Sequence, residues 1–131
     1  MTDDEFLRSV LDGSLPAGSF HHRDHLRLAW LAVRRHGADV APTVVGHAVK
    51  RFAEAHRQGV LYHQTMTDFW VRAVAHHVHE CPKVDDFDRF LVAFPAPLDR
   101  DLPLRHWTRP ALFTPAARAR WESPNLRPLP F

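Results

Sequence analysis

Twice in this chain histidine stands where a helix is about to begin, and imidazole at such a place can do metal chemistry. The first stretch runs Ser19-Phe20-His21-His22-Arg23-Asp24-His25-Leu26-Arg27-Leu28-Ala29-Trp30, the second Tyr62-His63-Gln64-Thr65-Met66-Thr67-Asp68-Phe69-Trp70. Zinc, iron, nickel and copper all accept imidazole nitrogen, zinc being the first expectation for a divalent ion here. Residues three or four apart share a helix face, so His22 pairs with His25 and His21 also with His25. The pair His22 and His25 is preferred, because Phe20 and His21 precede the helix. His63 would supply the third ligand. Three protein ligands with one position left open describe a catalytic ion, acting as Lewis acid or activating a bound water.

Three further residues follow from that chemistry. Asp24 could hold a ligating imidazole from behind; its plainer role is to cap the helix. Tyr62 could hand a proton or hydrogen bond to a substrate, and its plainer role is packing. Arg118, in the tail, could clamp a carboxylate or phosphate, against the ordinary fate of a solvated arginine. Thr65 and Thr67 could line the pocket, although one of them is expected to cap the helix. Trp30, Phe69 and Trp70 would wall the site or simply fill the core. Glu54 is the acid placed to reach inward as a base, against the rule that glutamate is exposed. A second cluster, His76-His77-Val78-His79-Glu80-Cys81, pairs His76 with Glu80 or His77 with Cys81 at i, i+4 but resembles neither HExxH nor a zinc finger. It reads as a mostly solvated helix end, with His77 alone facing the core side.

The elements that must position these groups are helices. Thr2-x-x-Glu5 is a capping box ahead of Phe6, Leu7, Val10 and Leu11, stopped by Gly13. A second helix from about Asp24 to Gly37 is apolar on most of its circumference and should be central. A third, opening between Asp39 and Pro42, carries the stripe Val45, Ala48, Val49, Phe52 and Ala55, with Gly59 as its end. A fourth, capped by Thr65 or Thr67, runs through Phe69, Trp70, Ala73, Val74 and Val78 and stops before Pro82. A fifth, capped by Asp85 or Asp86, has the edge Phe87, Phe90, Leu91 and Phe94. Eight of the eleven prolines lie from Pro95 onward, yet Leu98, Leu102, Leu104, Trp107, Leu112, Phe113, Trp121, Leu126 and Phe131 call for burial. The expected fold is all-α: one domain over 1–131, a compact bundle of about five helices over 1–94 and an extended tail over 95–131 with one short helix after Thr114-Pro115.

A chain of 131 residues can bury one core without staples. The net charge of +2 is weak, and the six arginines from Pro95 onward face three acids with no run of like charge. Nucleic acid asks for a concentrated basic stripe, so that partner is not expected. No apolar run is long enough to span a bilayer, so no membrane partner is expected either. The acidic start Met1-Thr2-Asp3-Asp4-Glu5 is neither signal nor transit peptide, which makes the cytoplasm the expected location. Cys81 is alone, excluding an internal disulfide or a paired-cysteine zinc site.

Phe20-x-His22-x-x-His25-Leu26-x-x-Ala29-Trp30, Tyr62-His63-x-Thr65-x-Thr67-x-Phe69-Trp70 and Pro115-x-x-Arg118-x-x-Trp121, with a closing Leu126-x-Pro128-Leu129-Pro130, resemble a family of small bacterial helical proteins with no assigned reaction. The resemblance spans about residues 20–131. It implies a shared helical fold in which the histidine motifs and the arginine-bearing tail belong together. HD-domain phosphohydrolases carry His before Asp, which Asp24-His25 reverses, and DinB-like three-histidine bundles are similar in chemistry only. Two functions follow as expectations. One is a metal-dependent enzyme acting on a small-molecule substrate by hydrolase, lyase or isomerase chemistry. The other is a helical binding module with structural histidines that docks a protein partner or apolar ligand.

Overall fold

The computed structural model describes residues 1–131 and is all-α, with seven α-helices, four short 3-10 turns and no strand. The first helix, α1 (Asp3–Leu11), begins with the expected box: the Glu5 amide donates to Thr2 Oγ1 at 3.1 Å, and the Thr2 amide donates to Glu5 Oε1 at 3.2 Å. Gly13 turns the chain away at φ +74, where a Cβ would sit 2.9 Å from that of Ala55.

The central element is α2 (His22–His36), which buries Leu26 and the whole run from Leu28 to Val33. It starts two residues before the expected Asp24. Asp24 lies in the first turn, and its carboxylate accepts the His21 amide at 2.9 Å. A free helix-start N–H is thereby satisfied and a negative charge sits at the positive end of the dipole. Gly37, at φ +85, ends the helix as expected.

The third helix, α3 (Ala41–Ala55), packs against α2 with Val45, Ala48 and Phe52 buried. It stops four residues short of Gly59. His56 packs against the Phe52 ring with an imidazole nitrogen 3.1 Å from the Gly13 carbonyl, and Arg57 takes the left-handed conformation at φ 59. Gly59 instead opens the 3-10 turn Gly59–Leu61. The fourth helix, α4 (Gln64–Glu80), packs against both α2 and α3. Neither Thr65 nor Thr67 caps it. The cap is His63, whose Nδ1 accepts the Met66 amide at 3.1 Å. Asp86 caps α5 (Phe87–Ala93).

The tail folds across the bundle through 3-10 turns at Ala96–Leu98 and Leu102–Arg105, then α6 (Arg109–Leu112) and α7 (Pro115–Ala119), capped by Thr108 and Thr114. Two short helices thus stand where one was expected. Trp107, Leu112, Ala117, Pro97 and Pro103 are buried, whereas Leu98, Phe113, Leu126 and Phe131 stay substantially exposed. The fastening is polar as well as apolar. Fully buried Thr65 reaches the Ala117 and Arg120 carbonyls at 2.7 and 2.9 Å and accepts the Glu122 amide at 3.2 Å. Trp107 Nε1–H donates to the Glu122 carbonyl at 3.1 Å, and the Arg72 guanidinium lies 3.8 Å over the Trp121 ring. No helix is long and apolar enough to cross a membrane.

Candidate functional site

A cavity of about 790 Å³ opens where α2, α3 and α4 converge beside the Gly59–Leu61 turn. Phe20, Ala29, Val45, Val49, Phe52 and Trp70 give it apolar walls. Its polar lining includes His22, His25, Tyr62, His63 and Arg100, and no aspartate or glutamate lines it. A smaller hollow of about 420 Å³ shares His22, Met66, Trp70 and Arg100 with it.

The three expected ligands have different environments. His25 lies flat on Phe20, ring centroids 4.0 Å apart at 13°. No hydrogen bond to the protein supports it. Burial, and then the neighbouring His22, push its pKa down to about 4; Asp24 acts against this and Arg100 adds to it. His25 is therefore a neutral imidazole at pH 7. His22 has Nε2 2.8 Å from the Pro97 carbonyl, so Nε2 carries the proton and Nδ1 keeps its lone pair. The Trp70 ring meets it edge-on at 4.5 Å. Burial lowers the His22 pKa, partly offset by the Pro97 bond.

His63 is spent at both nitrogens. Nδ1 accepts the Met66 amide, which fixes the proton on Nε2, and Nε2–H donates to the buried Leu112 carbonyl at 2.7 Å. The imidazole thus caps α4 and ties it to α6 in one residue. Burial holds its pKa down, against the pull of the Leu112 bond. Imidazole donors suit a borderline divalent ion, but as placed His63 has no lone pair left to give. The three rings are not gathered about a common point either. The one group of three His, Cys, Asp or Glu side chains with ligand atoms all within 4.8 Å of one another is His76, His77 and Glu80.

Asp24 serves the helix start and forms no bond to a ring. Tyr62 lines the cavity, where its hydroxyl donates to Gln64 Oε1 at 2.7 Å, and Gln64 Nε2 donates in turn to Asp68 Oδ1 at 2.9 Å. With its proton committed, Tyr62 offers the cavity an acceptor. Burial, and to a smaller degree Asp68, raise its pKa. Arg118 lies over the Phe113 ring at 5.8 Å and reaches the Leu61 carbonyl only at 3.5 Å; it does not line the cavity. Thr67 bonds back to the His63 carbonyl at 2.8 Å. Phe69 is core, and Trp30 packs among Phe87 and Phe90, away from the cavity lining. Glu54 packs along Gly59.

Arg100 escaped the sequence reading. It lies in a proline-rich segment with no motif around it, and only the folding of the tail across α2 and α4 brings it to the cavity. Of the tail arginines only Arg105 has an ion pair, with Asp99; Arg100 is exposed, has none, and is the one that lines this cavity. Arg23, also at the rim, is paired with Asp88. Gly46 matters for space: a Cβ there would lie 3.0 Å from the Tyr62 hydroxyl. Compared with family models, curated proteins and solved structures, the chain finds no match.

Proposed function

We propose that this protein binds a small organic molecule with an apolar body and one carboxylate or similar monoanion, in the cavity between α2, α3 and α4. The observation that carries this reading is the lining: apolar walls, an unpaired Arg100, a neutral His25 without an internal partner, and no acidic side chain. Apolar pockets with a few convergent polar groups are the usual form of a small-molecule site. The His25 ring makes no hydrogen bond within the protein while lining the cavity, so its nitrogens are available to a group that enters. Arg100 would face the anion. His25 would accept a hydrogen bond, or a proton, from the ligand's body. Tyr62, its own proton given to Gln64, would accept a second.

This is the binding side of the two functions expected from the sequence, with proton transfer as the chemistry within reach. A divalent ion on His22, His25 and His63 asks His63 to surrender the α4 cap and the Leu112 bond together. The present geometry supports the metal-free use of the cavity better.

The test is thermal stabilisation and calorimetry with a panel of aryl and alkyl carboxylates beside their neutral amides. Acids should bind more tightly than their amides, and Arg100→Gln should cost about 10- to 100-fold of the acid affinity, the worth of a charge-assisted hydrogen bond. Amides binding as well as acids, or Arg100→Gln binding as well as wild type, would refute the assignment. Zinc stabilisation that disappears in His22→Gln would favour the ion instead.

A further inference from the structure

The last turn of α4 holds a second constellation, remote from the cavity lining. His76 Nε2 lies 2.8 Å from Glu80 Oε1, and His77 Nδ1 lies 3.3 Å from the same oxygen. All three donor atoms fall within 4.8 Å of one another. Neither ring is free to swing. His76 stacks on Phe131, centroids 5.4 Å apart at 28°, and His77 stacks on Phe94 at 4.6 Å and 20°. As expected, this helix end is largely solvated, with His79 and Glu80 exposed and His77 the more covered of the two stacked rings; both imidazoles also lie against aromatic faces.

One feature is unresolved by the protein's own groups. His77 Nδ1 is buried and has no hydrogen-bond partner, although a carboxylate oxygen lies 3.3 Å away. Distance is met but direction is not. Two ring nitrogens converging on one oxygen, with one of them unsatisfied, is an arrangement that a shared cation completes. Donors bonded at about 2.0–2.1 Å to a tetrahedral ion lie about 3.3–3.5 Å apart. The His77–Glu80 separation already fits. The His76–Glu80 separation opens with a small movement of the half-exposed Glu80 side chain. The carboxyl end of a helix also favours positive charge.

We propose that His76, His77 and Glu80 form a binding site for a borderline divalent cation, zinc(II) being the type ion, with its remaining coordination positions open to water. Two imidazoles and one carboxylate select zinc, nickel, copper or iron over calcium and magnesium, which prefer oxygen shells. The ion would fasten the end of α4 beneath Phe94 and Phe131.

The test is calorimetric titration of zinc chloride into tag-free, chelator-stripped full-length protein, with imidazole nitrogen shifts followed by NMR. One zinc per chain with Kd of about 10 µM or tighter is expected, with the His76 and His77 nitrogens moving. Glu80→Gln and His76→Asn, both partly exposed and not expected to disturb folding, should each weaken binding by about 10–100-fold or more, at least the cost of losing an outer partner at a metal site. His22→Gln and His25→Leu should bind zinc as wild type does. Binding weaker than about 1 mM, binding unchanged in Glu80→Gln, or binding lost in His22→Gln would each overturn the assignment. Because the cavity variants and these variants are separate, failure here leaves the carboxylate reading standing, and the reverse holds too.

Discussion

Replacing His25 by leucine should remove a large part of the protein's acid sensitivity while leaving its stability at pH 7 almost unchanged. In the folded chain His25 takes a proton only near pH 4, because packing against Phe20 and the cavity wall partly desolvates the ring and the neighbouring His22 adds to the effect. Unfolded, the same ring titrates near 6.5. Between those values the unfolded chain binds more protons than the folded one, so stability is lost as pH falls. The contribution is intact above about pH 6.5, falls away between 6.5 and about 4, and is fully gone below. At about 1.36 kcal/mol per pH unit, a gap from 6.5 to about 4 amounts to about 3 kcal/mol. Against a usual total of about 5–15 kcal/mol that is a substantial fraction.

Leucine in the same space carries no titration and no unsatisfied nitrogen. His25 makes no hydrogen bond within the protein that leucine would lose, so at pH 7 the variant should lie within about 1 kcal/mol of wild type or above it. Urea unfolding at half-unit steps from pH 7 to pH 4 measures both curves. His22 and His63 are shifted in the same direction and remain in the variant, so its curve will still slope. The difference between the two curves isolates His25, and should grow by about 3 kcal/mol across the range. Parallel curves would refute the claim that His25 is desolvated, neutral and without a partner, and with it the main support for a ligand at this position. A variant less stable by several kcal/mol at pH 7 would show that the imidazole has a partner after all.

Two further outcomes follow from the polar ties between the bundle and its tail. His63→Ala should cost about 2–3 kcal/mol, from the lost α4 cap and the orphaned Leu112 carbonyl, whereas His63→Asn, which can still cap, should recover about 1 kcal/mol of it in the same urea experiment. Thr65→Val keeps the shape but leaves the Ala117 and Arg120 carbonyls and the Glu122 amide without their partner, so it should cost about 2–4 kcal/mol and speed limited proteolysis within residues 115–131; unchanged cleavage would mean that the remaining ties of the tail hold it without the Thr65 hydroxyl.

The helices were legible because their signals are local. The Thr2–Glu5 box, the apolar run of α2 closed by Gly37, and the spacing of Phe87, Phe90 and Leu91 act over a few residues and needed no knowledge of the tail. Histidine was harder to read, for a chemical reason. An imidazole with a free lone pair before a helix is a good ligand for a metal and an equally good acceptor for an orphan helix amide, and the two uses demand the same residue at the same position. At His63 the second use prevails because the tail supplies the Leu112 carbonyl for the other nitrogen, and that partner is 49 residues away in sequence. The same local logic offers Thr65 or Thr67 as the cap of α4, yet the Thr65 hydroxyl is turned to carbonyls 52 and 55 residues on and that of Thr67 back to the His63 carbonyl. Arg100 offered no local signal at all. The tail therefore settles the meaning of the histidines. The tail supplies the Pro97 carbonyl to His22 and the Leu112 carbonyl to His63, whose other nitrogen is taken by the Met66 amide of α4; of the three rings only His25 keeps both nitrogens unused, and the tail's Arg100 lines the same cavity. Hydrogen-bonding capacity that the fold leaves unused beside a cavity is a sharper guide to where a ligand binds than the residue types alone.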